Sequence, residues 1–381
     1  MRLLNTETWL LHEFVSDDSI PEYAILSHTW EEGEVTFDQW VSLTEDELSL
    51  MRGHRKIRDF GMKAAYNGFK WVWVDTCCID KSSSADLTEA INSMFSWYSR
   101  AAVCYVYLSD IEPSPSYSGI RFSRWFTRGW TLQELIAPQQ LSFYASDWSE
   151  IASKLDILGL LAEITKIDVQ VLETGDLSEV SVAKKMSWAA MRETSRGEDK
   201  AYCLLGLFDV NLPLMYGEGA VKAFRRLQEA IMRITHDQSL FAWGTFVEKF
   251  SINPPPASSK WQPSEPQFGL FAESPADFKE SGDIVPVDHG YAHIIDRARP
   301  PTVLHGGALV NLVIYKTRPC MRYWDKPQFA FQDEVEIAVL MVKPNEDSDV
   351  HLIAIALSAW GDGYHSRTRE LCSIKLFPLG C

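Results

Sequence analysis

The sequence predicts an α/β fold: a mostly parallel sheet with flanking helices, a helical extension behind it, and a β-rich C-terminal domain. Three observations predict it. Four short apolar runs alternate with helical patterns between residues 23 and 144; residues 151–245 carry helical periodicity; and strand-like runs follow a Pro/Ser-rich break. The expected segments are 1–150 for the α/β core, 151–245 for its helical remainder, 246–265 for a linker and 266–381 for the β-rich domain. At 381 residues and 46% hydrophobic content, the chain has enough apolar side chains for two or three cores.

The first strand is Tyr23-Ala24-Ile25-Leu26, ending in Ser27-His28-Thr29-Trp30. Ile57, Phe60, Ala64 and Ala65 then recur at helical spacing up to Gly68. Trp71-Val72-Trp73-Val74 is apolar on both faces, as a buried parallel strand is, and runs out at Asp75 to Asp80. Leu87, Ile91, Met94, Phe95 and Tyr98 mark the next helix, with Asp86 and Glu89 near its start. Val103–Leu108 is a third strand, ending in Ser109-Asp110. Arg124–Ala137 reads as one short helix stopped by Pro138, and Leu141–Tyr144 as the fourth strand, ending at Ser146-Asp147. This βαβα order implies right-handed crossovers and a largely parallel sheet. Ligands of such sheets bind beyond the carboxyl ends of the strands, where the polar clusters lie, although any strand must end in a polar turn.

Further on, Ser195-x-x-Glu198 reads as a capping box, and Val221, Phe224, Leu227, Ala230, Ile231 and Ile234 form an amphipathic stripe. Pro254–Ser259 marks the linker. Val335–Val339 and Val350–Ile355 flank a turn at Pro344–Asp347, which suggests hairpins.

A formal charge of −16 with no basic run argues against a nucleic-acid partner and against docking on an anionic membrane. No stretch of about 18 apolar residues is present, so no helical membrane span is expected. The N-terminus lacks the h-region and cleavage site of a signal peptide. Seven cysteines, largely in apolar runs and without a C-x-x-C pair, point to neither a disulfide framework nor structural zinc, so no metal site is expected. The expected location is cytoplasmic.

Familiar nucleotide motifs are missing, and Gly217-Glu218-Gly219 reads as a loop before a helix. His28 with Cys77 or Cys78 is weaker as a nucleophile pair than as buried, unactivated thiols. Arg192, Arg196, Glu198 and Asp199 read as an ion-pair network at a helix start rather than a phosphate clamp. Glu134 stands out. On a helical wheel Trp125, Gly129, Leu132 and Ile136 make the core stripe, while Thr127, Trp130 and Glu134 fall opposite. A carboxylate beside an aromatic on that face is either tuned by desolvation or salt-bridged to Arg128 or Arg124, and the pattern leaves both open.

Four strings resemble the fungal heterokaryon-incompatibility (HET) domain: Tyr23–Trp30, Trp73–Lys81, Ser123–Pro138, and Arg196–Phe208 with Tyr216–Gly219 after it. They cover roughly residues 1–245, and Gly269–Pro275 resembles the uncharacterised domain that often follows. The resemblance implies a role in non-self recognition and programmed cell death, and a divergent TIR-like, flavodoxin-like core. Some TIR domains cleave NAD+ with a glutamate in a W-x-x-x-E string, and Trp130–Glu134 is such a string here. It implies Glu134 as the catalytic residue, with Ser27, His28, Trp30, Asp75, Asp80 and Trp130 around the substrate. NAD+ is then the substrate and no cofactor is needed. Activation through homo-oligomers, with other incompatibility proteins as partners, follows by analogy. The rival expectation is a non-catalytic module that scaffolds death complexes.

Overall fold

The computed structural model describes residues 1–244 and 270–286 with their side chains, and residues 245–246 and seven strands between 302 and 375 as backbone. The chain forms two compact units, Met1–Ser178 with Arg192–Glu218, and Glu179–Met191 with Gly219–Cys381.

The first unit is built on a seven-stranded sheet. Its strands are β1 (Arg2–Asn5), β2 (Leu11–Glu13), β3 (Ala24–His28), β4 (Trp71–Trp73), β5 (Val103–Tyr107), β6 (Leu141–Tyr144) and β7 (Glu150–Ser153), in the order β2-β1-β4-β3-β5-β6-β7. The central four, β4-β3-β5-β6, are parallel, and β1, β2 and β7 add antiparallel edges. Every expected strand therefore forms, and β7 opens a stretch expected to be helical. Residues of β3, β4 and β5 such as Ile25, Leu26, Val72, Trp73, Cys104 and Val106 are fully buried, which is why these strands read as unbroken apolar runs. Within the parallel centre, chain order reverses between β3 and β5, the place where doubly wound sheets open a crevice.

The helices of this unit are α1 (Phe37–Ser42), α2 (Glu45–Ser49), α3 (Arg52–Tyr66), α4 (Asp75–Cys78), α5 (Ser84–Arg100), α6 (Thr131–Ile136), α7 (Leu158–Thr165), α8 (Val169–Thr174) and, after the excursion into the second unit as α9 (Val182–Ala189), α10 (Asp199–Tyr202). Thr36 and Thr44 close capping boxes on α1 and α2, and Ser83 caps α5 by accepting from the Asp86 N–H. No capping box forms at α10. Ser195 Oγ accepts from Arg128, and Glu198 Oε1 accepts from the Gly217 N–H at 2.8 Å.

In the second unit α11 (Ala220–Ile234) buries Phe224, Leu227 and Ile231, while Val221 and Ile234 at its ends stay exposed. Gln228 is fully buried on the same helix, and its amide exchanges two hydrogen bonds with the main chain of Ala272 at 2.8 and 2.9 Å. The backbone beyond includes a five-stranded sheet in which Val335–Val339 pairs antiparallel with His351–Trp360. The expected linker at Pro254–Ser259 lies outside the described residues, as does the turn after Pro344. Among the described residues no helix is long and apolar enough to cross a membrane.

Candidate functional site

The segment that carries Glu134 is not one helix. Arg124–Thr127 is a 3₁₀ turn whose first turn is capped by Ser123. Arg128 is extended, and α6 begins only at Thr131. The break comes from tertiary pairing: the Glu193 N–H donates to Thr127 O at 2.7 Å, and the Gly129 N–H donates to Glu193 O at 2.8 Å. Gly129 permits this close approach, because a Cβ there would sit 2.6 Å from Thr194 Cγ2 and 3.1 Å from Cys203 Sγ. The expected stripe therefore dissolves. Thr127 is exposed, and all six residues of α6 are buried.

Glu134 is 8% exposed, and Ser27 at the end of β3 donates to its Oε2. The direction of that bond is set by Trp125, whose Nε1–H donates to Ser27 Oγ at 2.8 Å and so turns the serine hydroxyl hydrogen toward the carboxyl. Tyr98 on α5 lines the same cavity beside Glu134, and its hydroxyl donates to Leu26 O at 2.9 Å. Burial pushes the Glu134 carboxyl up to about 8, helped by the charge of Asp75 and opposed by Ser27, Tyr98 and Arg192. Neither expected salt bridge forms: Arg124 engages Glu31 at 2.7 Å, and Arg128 donates to Ser195. Arg192, buried nearby, donates to Arg128 O and Thr131 Oγ1 at 2.9 and 3.0 Å.

A chain of charged groups runs past His28. The Lys56 ammonium lies 2.8 Å from Nδ1 and also bonds Glu34 Oε1. An ammonium only donates, so Nδ1 accepts and Nε2–H is left to point at Asp75 Oδ1, 3.1 Å away. Burial alone would raise the Asp75 carboxyl, but the Lys81 ammonium at 3.6 Å and hydrogen bonds from His28 and Trp30 outweigh it and hold Asp75 well below the usual range. Lys81 in turn sits 3.5 Å over the Trp30 ring.

These groups line one cavity of about 270 Å³, onto which Glu134, His28, Trp30, Asp75 and Trp130 all open. Ser27 stands behind Glu134. Asp80 is not drawn in: its carboxylate bonds Ser82, and its N–H donates to Asp86. Trp130 reaches the cavity through another partner, donating from Nε1 to Asp199 Oδ2 at 3.3 Å, while Tyr216 donates to the other oxygen at 2.8 Å. Within residues 192–199, Asp199 thus holds Trp130 and Tyr216 and also feels the charges of Arg196 and Glu198. Cys77 and Cys78 are buried, burial pushes the Cys77 thiol well up, and both ring nitrogens of His28 are engaged elsewhere. That geometry offers no cysteine–histidine pair.

Sequence reasoning passed over Tyr98, Lys56, Glu34 and Tyr216. Tyr98 was hidden in an apolar stripe, where only its hydroxyl marks it out. Lys56 and Glu34 carry no local signal, since their roles depend on β3 lying beside α3.

Residues 23–118 match the family model described as heterokaryon incompatibility protein (HET), and residues 222–305 match one described as a domain of unknown function, DUF8212. Over 222 residues, 56% of this chain, the sequence is 46% identical to vegetative incompatibility protein HET-E-1 of Podospora anserina. The match spans 16% of that relative's length. No solved structure matches the chain. The family match begins at the β3 residues that supply Ser27 and His28, and with the Podospora relative it shows that the first unit of this chain carries a HET domain.

Proposed function

We propose that the chain acts in vegetative incompatibility and that its α/β unit, read as TIR-like, hydrolyses the N-glycosidic bond of NAD+. The observation that carries this reading is the placement of Glu134: a buried carboxyl, held by Ser27 beside Tyr98, opening onto a cavity walled by Trp30 and Trp130. The cavity volume, about 270 Å³, lies near the lower end of small-molecule sites, roughly 300–1,000 Å³. It takes one end of a dinucleotide, a flat aromatic ring with its ribose, stacked on a tryptophan.

The chemistry suits a single carboxylate. Cleavage of the C1′–N bond sends its electron pair to the pyridinium nitrogen, so nicotinamide leaves neutral and needs no proton. Positive charge develops on the ribose, as in glycoside hydrolysis, and an adjacent carboxylate stabilises it most where water is excluded. Water then adds at C1′ and loses a proton, giving ADP-ribose. In the free protein Glu134 is held neutral at pH 7 by burial. The cationic ring of the substrate reverses that balance, since a positive charge within a few ångströms lowers a carboxyl pKa. The substrate thus drives a proton from Glu134 to solvent and ionises the group that stabilises its own bond cleavage. On this mechanism kcat/KM rises with pH and levels off above about 8, following Glu134 in the free protein.

We expect activation by self-association in the cytoplasm, with other incompatibility proteins as partners and cell death as the outcome of NAD+ loss. A scaffold without catalysis is the second reading, favoured by the neutral state of Glu134 in the free protein. Nicotinamide release from NAD+ by concentrated or crowded protein separates the two, with Glu134→Gln alongside. The expected result is release by the native chain and a loss of about 10²–10³-fold in the variant, comparable to deleting a transition-state electrostatic contact. Equal release from both refutes the assignment of Glu134, and release from neither leaves the scaffold.

A further inference from the structure

Two arginines line the cavity, Arg128 and Arg196. The Arg128 main chain is locked, with its carbonyl accepting from Arg192 and its neighbours bonded to Glu193, so its side chain leaves a fixed base. Its Nη2–H donates to Ser195 Oγ at 2.9 Å. Arg196, the residue after that serine, lays its guanidinium over the Tyr216 ring at 4.3 Å. Asp199 feels the charge of Arg196 but uses its oxygens on Tyr216 and Trp130. Among the described residues neither guanidinium is ion-paired, in a chain whose formal charge is −16.

Beside the carboxyls of Glu134, Asp75 and Asp199 and the Lys81 ammonium, the cavity lining holds Arg128, Ser195 and Arg196, which supply two planar donor forks and a hydroxyl. Guanidinium forks match the oxygens of phosphates, and both arginines open onto the same cavity. We infer that Arg128, Ser195 and Arg196 form a diphosphate subsite, so that the occupant is a molecule linked through a nucleoside diphosphate and not a free nucleoside. The inference rests on the dinucleotide reading of the cavity, to which it adds the residues that read the pyrophosphate. It accounts for a site smaller than a whole dinucleotide: the ring and its ribose enter the cavity, and the diphosphate lies across the arginines.

The test is calorimetric titration of the full chain carrying Glu134→Gln, which prevents turnover, with NAD+, ADP-ribose, inorganic pyrophosphate and nicotinamide riboside. Removing both forks by Arg128→Gln with Arg196→Gln is expected to weaken NAD+ and ADP-ribose on the order of tenfold per arginine, as charge-assisted hydrogen bonds do. Pyrophosphate should compete with ADP-ribose, and nicotinamide riboside should not lose affinity, so the ratio of NAD+ to riboside binding falls. Arg196→Lys, which keeps the charge and loses the fork, should lose part of the affinity and show that the folded rim is intact. Unchanged ADP-ribose affinity in the double variant overturns the subsite, as does no binding of any phosphate ligand by the parent chain. The two readings fail separately. Nicotinamide release that is indifferent to both arginines removes the subsite and leaves hydrolysis. ADP-ribose binding that depends on them, in a chain that releases no nicotinamide, leaves the subsite and removes hydrolysis.

Discussion

Replacing Glu134 with glutamine should stabilise this protein, and increasingly so as pH rises. In the folded chain burial pushes the carboxyl from 4.5 to about 8, whereas in the unfolded chain it titrates near its ordinary value. Below the unfolded pKa both states carry the proton and no difference arises. Between about 4.5 and 8 the folded state keeps a proton that the unfolded state has released, so stability falls with rising pH. At about 1.36 kcal/mol per pKa unit, the loss is about 3 kcal/mol at pH 7 and approaches roughly 5 kcal/mol above pH 8. Glutamine is shaped like the neutral acid. Its carbonyl can accept from Ser27, and its amide can donate to Tyr98 while that hydroxyl donates to Leu26 O. The variant should therefore match the native chain near pH 4.5 and gain about 3 kcal/mol over it at pH 7. Urea unfolding of both proteins at fixed ionic strength from pH 5 to 8, followed by tryptophan fluorescence, measures the difference. Groups common to both proteins cancel in that subtraction. A difference that stays flat across the range, or a native chain that gains on the variant as pH rises, would falsify the placement of a neutral, buried Glu134. Sites that bind or react commonly carry such a cost.

Three other perturbations follow from the same contacts. Ser27→Ala removes the acceptor of the Trp125 indole N–H and the donor to Glu134, so it should cost about 1–3 kcal/mol in urea unfolding and move the rising limb of kcat/KM to higher pH. Lys56→Met strands Glu34, whose side chain is only 8% exposed, and should cost about 3–5 kcal/mol, most of it recovered when Glu34→Leu is added; a double variant as unstable as the single shows that the pair is not the cause. Cys77, Cys78, Cys104 and Cys203 are buried and their modification should require unfolding, so mass-spectrometric mapping after a neutral thiol reagent should find them unlabelled in the native protein; rapid labelling of Cys77 or Cys78 would restore a reactive thiol next to His28.

The parallel strands were legible because each is buried on both faces and so announces itself as an unbroken apolar run. The edges β1, β2 and β7 are three or four residues long and exist only because a neighbouring strand offers them a ladder, which leaves no periodicity to read. The helical wheel failed on the Glu134 segment for a related reason. A wheel separates core from solvent, and α6 has no solvent side: every one of its six residues is buried. Its start was displaced by a main-chain bridge to Glu193, some sixty residues away, which no local pattern encodes.

By itself the sequence determined the α/β class, the succession of parallel strands along the chain, and the strand-end residues Ser27, His28 and Asp75, because hydrophobic burial and chain direction act locally along each element. It also marked Glu134 as a carboxylate out of place. Only the tertiary structure decided that Glu134 meets Ser27 and Tyr98 instead of Arg128, that Lys56 and Asp75 take the two nitrogens of His28, and that Asp80 stands apart. Each of those outcomes depends on which side chains are brought within about 3 Å across different elements, and at that range hydrogen-bond geometry and the cost of burying charge are settled.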